Sequence, residues 1–260
     1  MSGALPALFL GHGSPMNALE DNEFSRAWTG LGRCLPQPRA VLCLSAHWET
    51  DGPRVTASAA PETIHDFYGF PDALFRFQYP APGAPKLAER VAALTGAAAD
   101  PARGLDHGAW SVLCRLYPQA DVPVVQLSLD RRLAPAGFVA LGRTLAPLRA
   151  EGVLLLGSGN FVHHLGLLDR SMDGGFPWAE DFAARARDRI RAGDADALAD
   201  WPALGPGAAL AVPTAEHYLP LLPVLGARAA GEPIALFTDR LILGSLGMTS
   251  VLVGDPTLVA

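Results

Sequence analysis

Three apolar runs, far apart in this chain, each end in small residues and then deliver a histidine. Ala7-Leu8-Phe9-Leu10 runs into Gly11-His12-Gly13-Ser14, and Val41-Leu42-Cys43-Leu44 runs into Ser45-Ala46-His47. Val153-Leu154-Leu155-Leu156 runs into Gly157-Ser158-Gly159-Asn160, with His163 and His164 just beyond. Short apolar runs of this kind make strands buried on both faces, as in a parallel sheet covered by helices. In open α/β sheets ligands bind in the crevice beyond the carboxyl ends of the strands. One histidine so placed reads as a satisfied core or cap residue. Three copies of the device gather imidazoles at one end of the sheet, and histidine is the commonest metal ligand. A metal site is the sharper expectation.

The chain of 260 residues shows no linker, low-complexity tract or repeat, so one α/β domain over 1–260 is expected: a central, mostly parallel sheet flanked by helices. Half the residues are hydrophobic and 18% are charged, enough for a large core. A net charge of −6 without a basic patch argues against a nucleic-acid partner. No apolar run reaches the roughly 18 residues that a membrane span needs. The opening Met-Ser-Gly-Ala-Leu-Pro does not read as a signal peptide. Cys34, Cys43 and Cys114 are odd in number and lack C-x-x-C spacing, which fits reduced thiols of a cytoplasmic protein.

Helices are expected over 19–33, over 84–97 with Gly96 as its stop, over 134–149 and over 179–192, with a short one after the 104–110 turn. Further strands are expected at Val122–Leu129, at Ala208–Val212 and around 233–237 and 249–253. Thr214 is expected to cap a helix, placing Glu216 and His217 in its first turn. Between 51 and 82 lies a long aromatic segment, and loops of that length usually carry function.

No G-x-S-x-G, P-loop or H-E-x-x-H occurs, and Gly157-Ser158-Gly159 lacks the third glycine of a dinucleotide loop. What remains is His12, His47, His107, His163 and His217, with His65 and His164 as weaker candidates. Imidazoles without thiolates suit zinc, iron, copper or nickel, and Glu216 could supply a carboxylate to a facial triad.

Six motifs in order carry a resemblance: Gly11-His12-Gly13-Ser14-Pro15-Met16, Ser45-Ala46-His47-Trp48, His65-Asp66-Phe67-Tyr68-Gly69-Phe70-Pro71, Leu105-Asp106-His107-Gly108-Ala109-Trp110, Gly157-Ser158-Gly159-Asn160 and Glu216-His217-Tyr218-Leu219-Pro220. Together they resemble the 4,5-DOPA extradiol dioxygenases, class III (LigB-type) ring-opening enzymes. The likeness runs from residue 8 to about 225, and departs at His164, where the family usually has Asn.

The resemblance implies a LigB-like fold, one non-haem Fe(II) often replaced by zinc in purified protein, and opening of a catechol ring with O2. It implies His12, His47 and His217 as metal ligands, with His163 a fourth ligand when zinc is bound. It also implies His107 and His163 as acid/base groups. Ser14, Tyr68 and Asn160 are expected to meet the substrate, with Arg76 a further candidate. The working form is expected to be a monomer or small homo-oligomer. Two other readings share these features. One is a tetrapyrrole metal chelatase, which also places Gly-His-Gly-Ser after a first strand, and the other is a non-catalytic metal-binding module on the LigB scaffold.

Overall fold

The computed structural model describes residues 3–259. Its centre is a six-stranded sheet built from β1 (Ala7–Gly11), β2 (Ala40–Ser45), β3 (Val124–Gln126), β4 (Val153–Gly159), β5 (Ile234–Phe237) and β6 (Ser250–Val253), in the order β3-β2-β4-β1-β6-β5. The pairings of β2 with β3, β2 with β4 and β1 with β4 are parallel; β6 runs antiparallel to both β1 and β5. The three histidine-bearing strands are therefore the adjacent trio β2-β4-β1. Their register makes them end level, with Gly11 opposite Gly159 and Ser45 opposite Ser158.

Side chains alternate across the strands with period two. Leu8, Leu10, Val41, Cys43, Leu154 and Leu156 face one layer, where Trp28 and Leu31 of α1 (Glu23–Cys34) meet Trp110 and Leu113 of α3 (His107–Leu116). Phe9, Leu42, Leu44 and Leu155 face the other layer. There they meet α2 (Pro85–Thr95), α4 (Pro135–Leu145), α5 (Pro177–Ala192) and α6 (Leu221–Gly226). Asn22 caps α1 in a reciprocal box with Ser25, and Gly96 closes α2 at φ 72. No helix among the described residues is long and apolar enough to cross a membrane.

Several expectations are corrected. Ala208–Ala211 is a short helix, not a strand, because three alanines and a leucine are strong helix formers and a five-residue apolar run carries no period of its own. The Val122–Leu129 run is broken: after β3 the chain leaves the main sheet, and Leu129–Asp130 pairs with Glu49–Thr50 instead. The first helix begins at Glu23, preceded by a single 3-10 turn at Pro15–Ala18. Pro147 divides the 134–149 helix in two. Thr214 caps no helix, since α6 starts only at Leu221; residues 213–220 form a turn, so no helix dipole acts on His217 from its own element.

Candidate active site

The level strand ends place His12 and His47 side by side, with their Nε2 atoms 3.3 Å apart. His217 arrives from the 213–220 turn, which is seated on the end of β4. Asn160 N donates to the His217 carbonyl at 2.8 Å, and a Cβ on Gly159 would lie 2.1 Å from that same oxygen. Only glycine lets the turn approach this closely. One ligand atom from each of His12, His47 and His217 lies within 4.8 Å of the others. His163 stacks on His217 at 3.5 Å and 8° between planes, while His107 lies 3.8 Å from His47 between ring centroids.

The partners of these rings set their tautomers. His12 Nδ1 lies 3.0 Å from Ser158 Oγ, and the Ser158 hydroxyl donates to the Gly108 carbonyl at 2.5 Å. A serine has one proton to give, so Ser158 accepts from His12 Nδ1–H and leaves Nε2 with its lone pair. His217 Nδ1 lies 3.0 Å from Glu216 Oε1, which also accepts the Thr214 hydroxyl at 2.9 Å. Burial would raise the Glu216 carboxyl, but the hydrogen bonds from His217, its own backbone N–H and Thr214 hold it down at about 2. An ionised carboxylate only accepts, so the other nitrogen of His217 is also left free.

Burial, then the neighbouring imidazoles, pushes both His12 and His47 well below the ordinary histidine range. The same two causes bring His163 to about 3. These rings are neutral at pH 7, the form that ligates a metal. The Nε2 atoms of His12 and His47 converge at 3.3 Å, so a cation placed beside them would be held by both rings. The nitrogen set of His12, His47 and His217, with Ser158 and Glu216 behind it, fits Zn(II) or Fe(II).

The histidines floor a cavity of about 780 Å³, a size suited to a small organic ligand. Phe67, Phe70, Leu243 and Leu246 supply apolar wall, and Glu20 and Arg170 stand at the rim. Ser14 and Tyr68 border it, Tyr68 at 92% exposure. Asn160 lies behind the wall, its Nδ2 donating to the Gly247 carbonyl and its Oδ1 accepting from Gly13 N. Arg76 sits away from the cavity, paired with Asp72 at 3.7 Å. His163 faces the cavity, whereas the His164 ring lies beside Gly166. His65 donates from Nε2 to the Phe77 carbonyl at 2.8 Å and packs near Trp110, a structural use. Sequence reasoning missed Ser158, Asp66 and Arg170.

The fold and this site define a class. The chain belongs to the family described as the catalytic LigB subunit of aromatic ring-opening dioxygenase, which matches residues 6–237. It is an aromatic ring-opening dioxygenase of the extradiol type. It is 46% identical to the 4,5-DOPA dioxygenase extradiol of Escherichia coli K12, over 97% of this chain and 96% of that protein. It is 40% identical to the protein of the same name from Beta vulgaris, over 86% of each. The crystal structure of an uncharacterized protein from Escherichia coli K12 superposes with a TM-score of 0.84 at 42% identity, covering 96% of this chain and 100% of that one. These likenesses favour neither the chelatase reading nor the non-catalytic one.

Proposed function

We propose that this chain opens the ring of a catechol with O2, using one Fe(II) held by His12, His47 and His217. The observation that carries the reading is the meeting of three imidazoles at the floor of a largely apolar cavity, with two more imidazoles beside them. Fe(II) there would bind both oxygens of the diol and activate O2. Zinc suits the same donor set and is the expected occupant of aerobically purified protein.

The protein's own work is to orient the ring and manage two protons. Phe67 and Phe70 form a wall against which an aromatic ring packs. His163 is reluctant to charge, so it suits accepting a hydrogen bond or serving as a fourth ligand better than storing a proton. That leaves His107 to take the diol proton at its free ring nitrogen and later return one. Arg170 is exposed at the rim with no acidic partner among the described residues, which suits it to a carboxylate on the substrate's side chain. All five histidines come from one chain, consistent with a monomer or small homo-oligomer. Three free thiols fit a cytoplasmic setting.

The test is to load the protein with Fe(II) without oxygen, add DOPA or plain catechol, admit O2, and follow oxygen uptake together with a yellow ring-opened product. Uptake with colour is expected. Silence across a catechol panel overturns the reading, and metal insertion into a porphyrin would revive the chelatase.

A further inference from the structure

Asp66 stands between His107 and His47. Its Oδ1 accepts the His107 backbone N–H at 3.0 Å and lies 2.9 Å from His107 Nδ1. Its Oδ2 lies 3.9 Å from His47 Nδ1. The loop that carries it is long and irregular, yet it is fixed close to Asp66. Ile64 N donates to the Leu105 carbonyl and Trp110 Nε1 to the Ile64 carbonyl, both at 2.8 Å. His65 is tied to Phe77, and the Phe67 ring meets the His107 ring edge-on at 5.6 Å. A carboxylate held this firmly can hold another side chain in turn.

Asp66 Oδ1 faces both the backbone N–H and Nδ1 of His107, and a carboxylate oxygen accepts rather than donates. A neutral imidazole carries one proton, and the nitrogen facing an anion keeps it. His107 also opens α3, where Asp106 caps the helix by accepting Ala109 N, so the backbone on which Asp66 grips it is rigid.

We infer that Asp66 is a positioning residue that locks His107, through its backbone N–H and Nδ1 together, in the tautomer whose Nε2 is free to take the substrate's proton. The inference rests on the acid/base role proposed for His107. Asp66 meets no substrate in this scheme; it acts through the ring it orients. Its reach to His47 is longer by about an ångström, so its first effect falls on His107 rather than on the metal ligand.

The tautomer is read by long-range proton–nitrogen NMR on zinc-loaded protein without substrate, with His107→Gln to assign the signal. This measurement stands apart from turnover, so it can fail while the dioxygenase reading holds, or hold while that reading fails. Protonation at Nδ1 is expected, and protonation at Nε2 overturns the inference. In Asp66→Ala the one oxygen that faces both the backbone N–H and Nδ1 is gone, so nothing holds the proton at Nδ1, whereas in Asp66→Asn the amide oxygen can take the Oδ1 place and keep it there. In Asp66→Ala bound metal should match wild type, the Nδ1–H preference should be lost and kcat should fall about 10²-fold with KM little changed, and Asp66→Asn should restore much of both. An undiminished kcat in Asp66→Ala overturns the assignment. Loss of metal in step with activity overturns it too, by making Asp66 a support for His47.

Discussion

Ser158 Oγ accepts a hydrogen bond from His12 Nδ1 at 3.0 Å and donates one to the carbonyl of Gly108, in the first turn of α3. The hydroxyl thus joins the end of β4, a candidate metal ligand and the helix that carries His107. Ser158→Ala removes the acceptor that fixes the His12 tautomer. Metal affinity should drop about 10- to 100-fold, as measured by competition with a chelating dye. Unchanged affinity would show that the hydroxyl does not set the ring.

His12→Ala, His47→Ala and His217→Ala should each abolish both bound metal and turnover. His163→Ala should keep its metal and lose turnover by about 10²-fold or more. Metal analysis beside oxygen-uptake rates separates the two groups, and loss of metal from His163→Ala would move that ring into the ligand set.

Arg170→Gln should raise KM roughly tenfold for catechols bearing a side-chain carboxylate, the scale of one partly exposed ion pair. Plain catechol should be unaffected. Steady-state kinetics on the two substrates decide it, and an equal effect on both would remove Arg170 from recognition.

The metal-free protein should lose stability as pH falls below about 6.5, where unfolded histidines begin to protonate. The folded pKa values of His12, His47 and His163 are depressed, mainly by burial, that of His163 to about 3. Between the unfolded and folded values the unfolded chain binds more protons, so the loss grows as pH drops through that window. Melting temperatures of chelator-treated protein from pH 8 to pH 5 test the sign; a flat profile would contradict it.

Arg149 is buried, donating to the carbonyls of Leu5 at 2.7 Å and Ala227 at 2.8 Å and to Glu232 Oε2 at 2.8 Å. Glu232→Ala leaves that guanidinium without its counter-charge and should cost about 3 kcal/mol. Denaturant unfolding of the variant measures it.

Much of this architecture could be read from local pattern. The runs before His12, His47 and His163 predicted strands because short apolar runs bounded by small residues suit a doubly covered sheet, and Gly96 marked its helix end by the left-handed turn it adopts. The Ala208–Val212 run misled because its length suits either element and its flanking Gly207 and Pro213 can bound both. Thr214 and Glu216 looked like a helix start, yet they serve the His217 ring instead. Asp66 was visible only as a neighbour of His65. Its meeting with His107 joins residues 41 positions apart through the folded loop, and no periodicity encodes that. Arg170 stands out only once its place at the cavity rim, outside any ion pair among the described residues, is seen in three dimensions.

The seating of the 213–220 turn against Gly159 uncouples the third histidine from the length of chain that precedes it. What fixes His217 is a berth on a neighbouring strand, not its distance along the polypeptide from His163. The intervening excursion, with α5 and the short helices after it, can lengthen, shorten or be rebuilt, provided it returns to the same mooring. Variation there can reshape the cavity rim without disturbing the imidazoles at its floor.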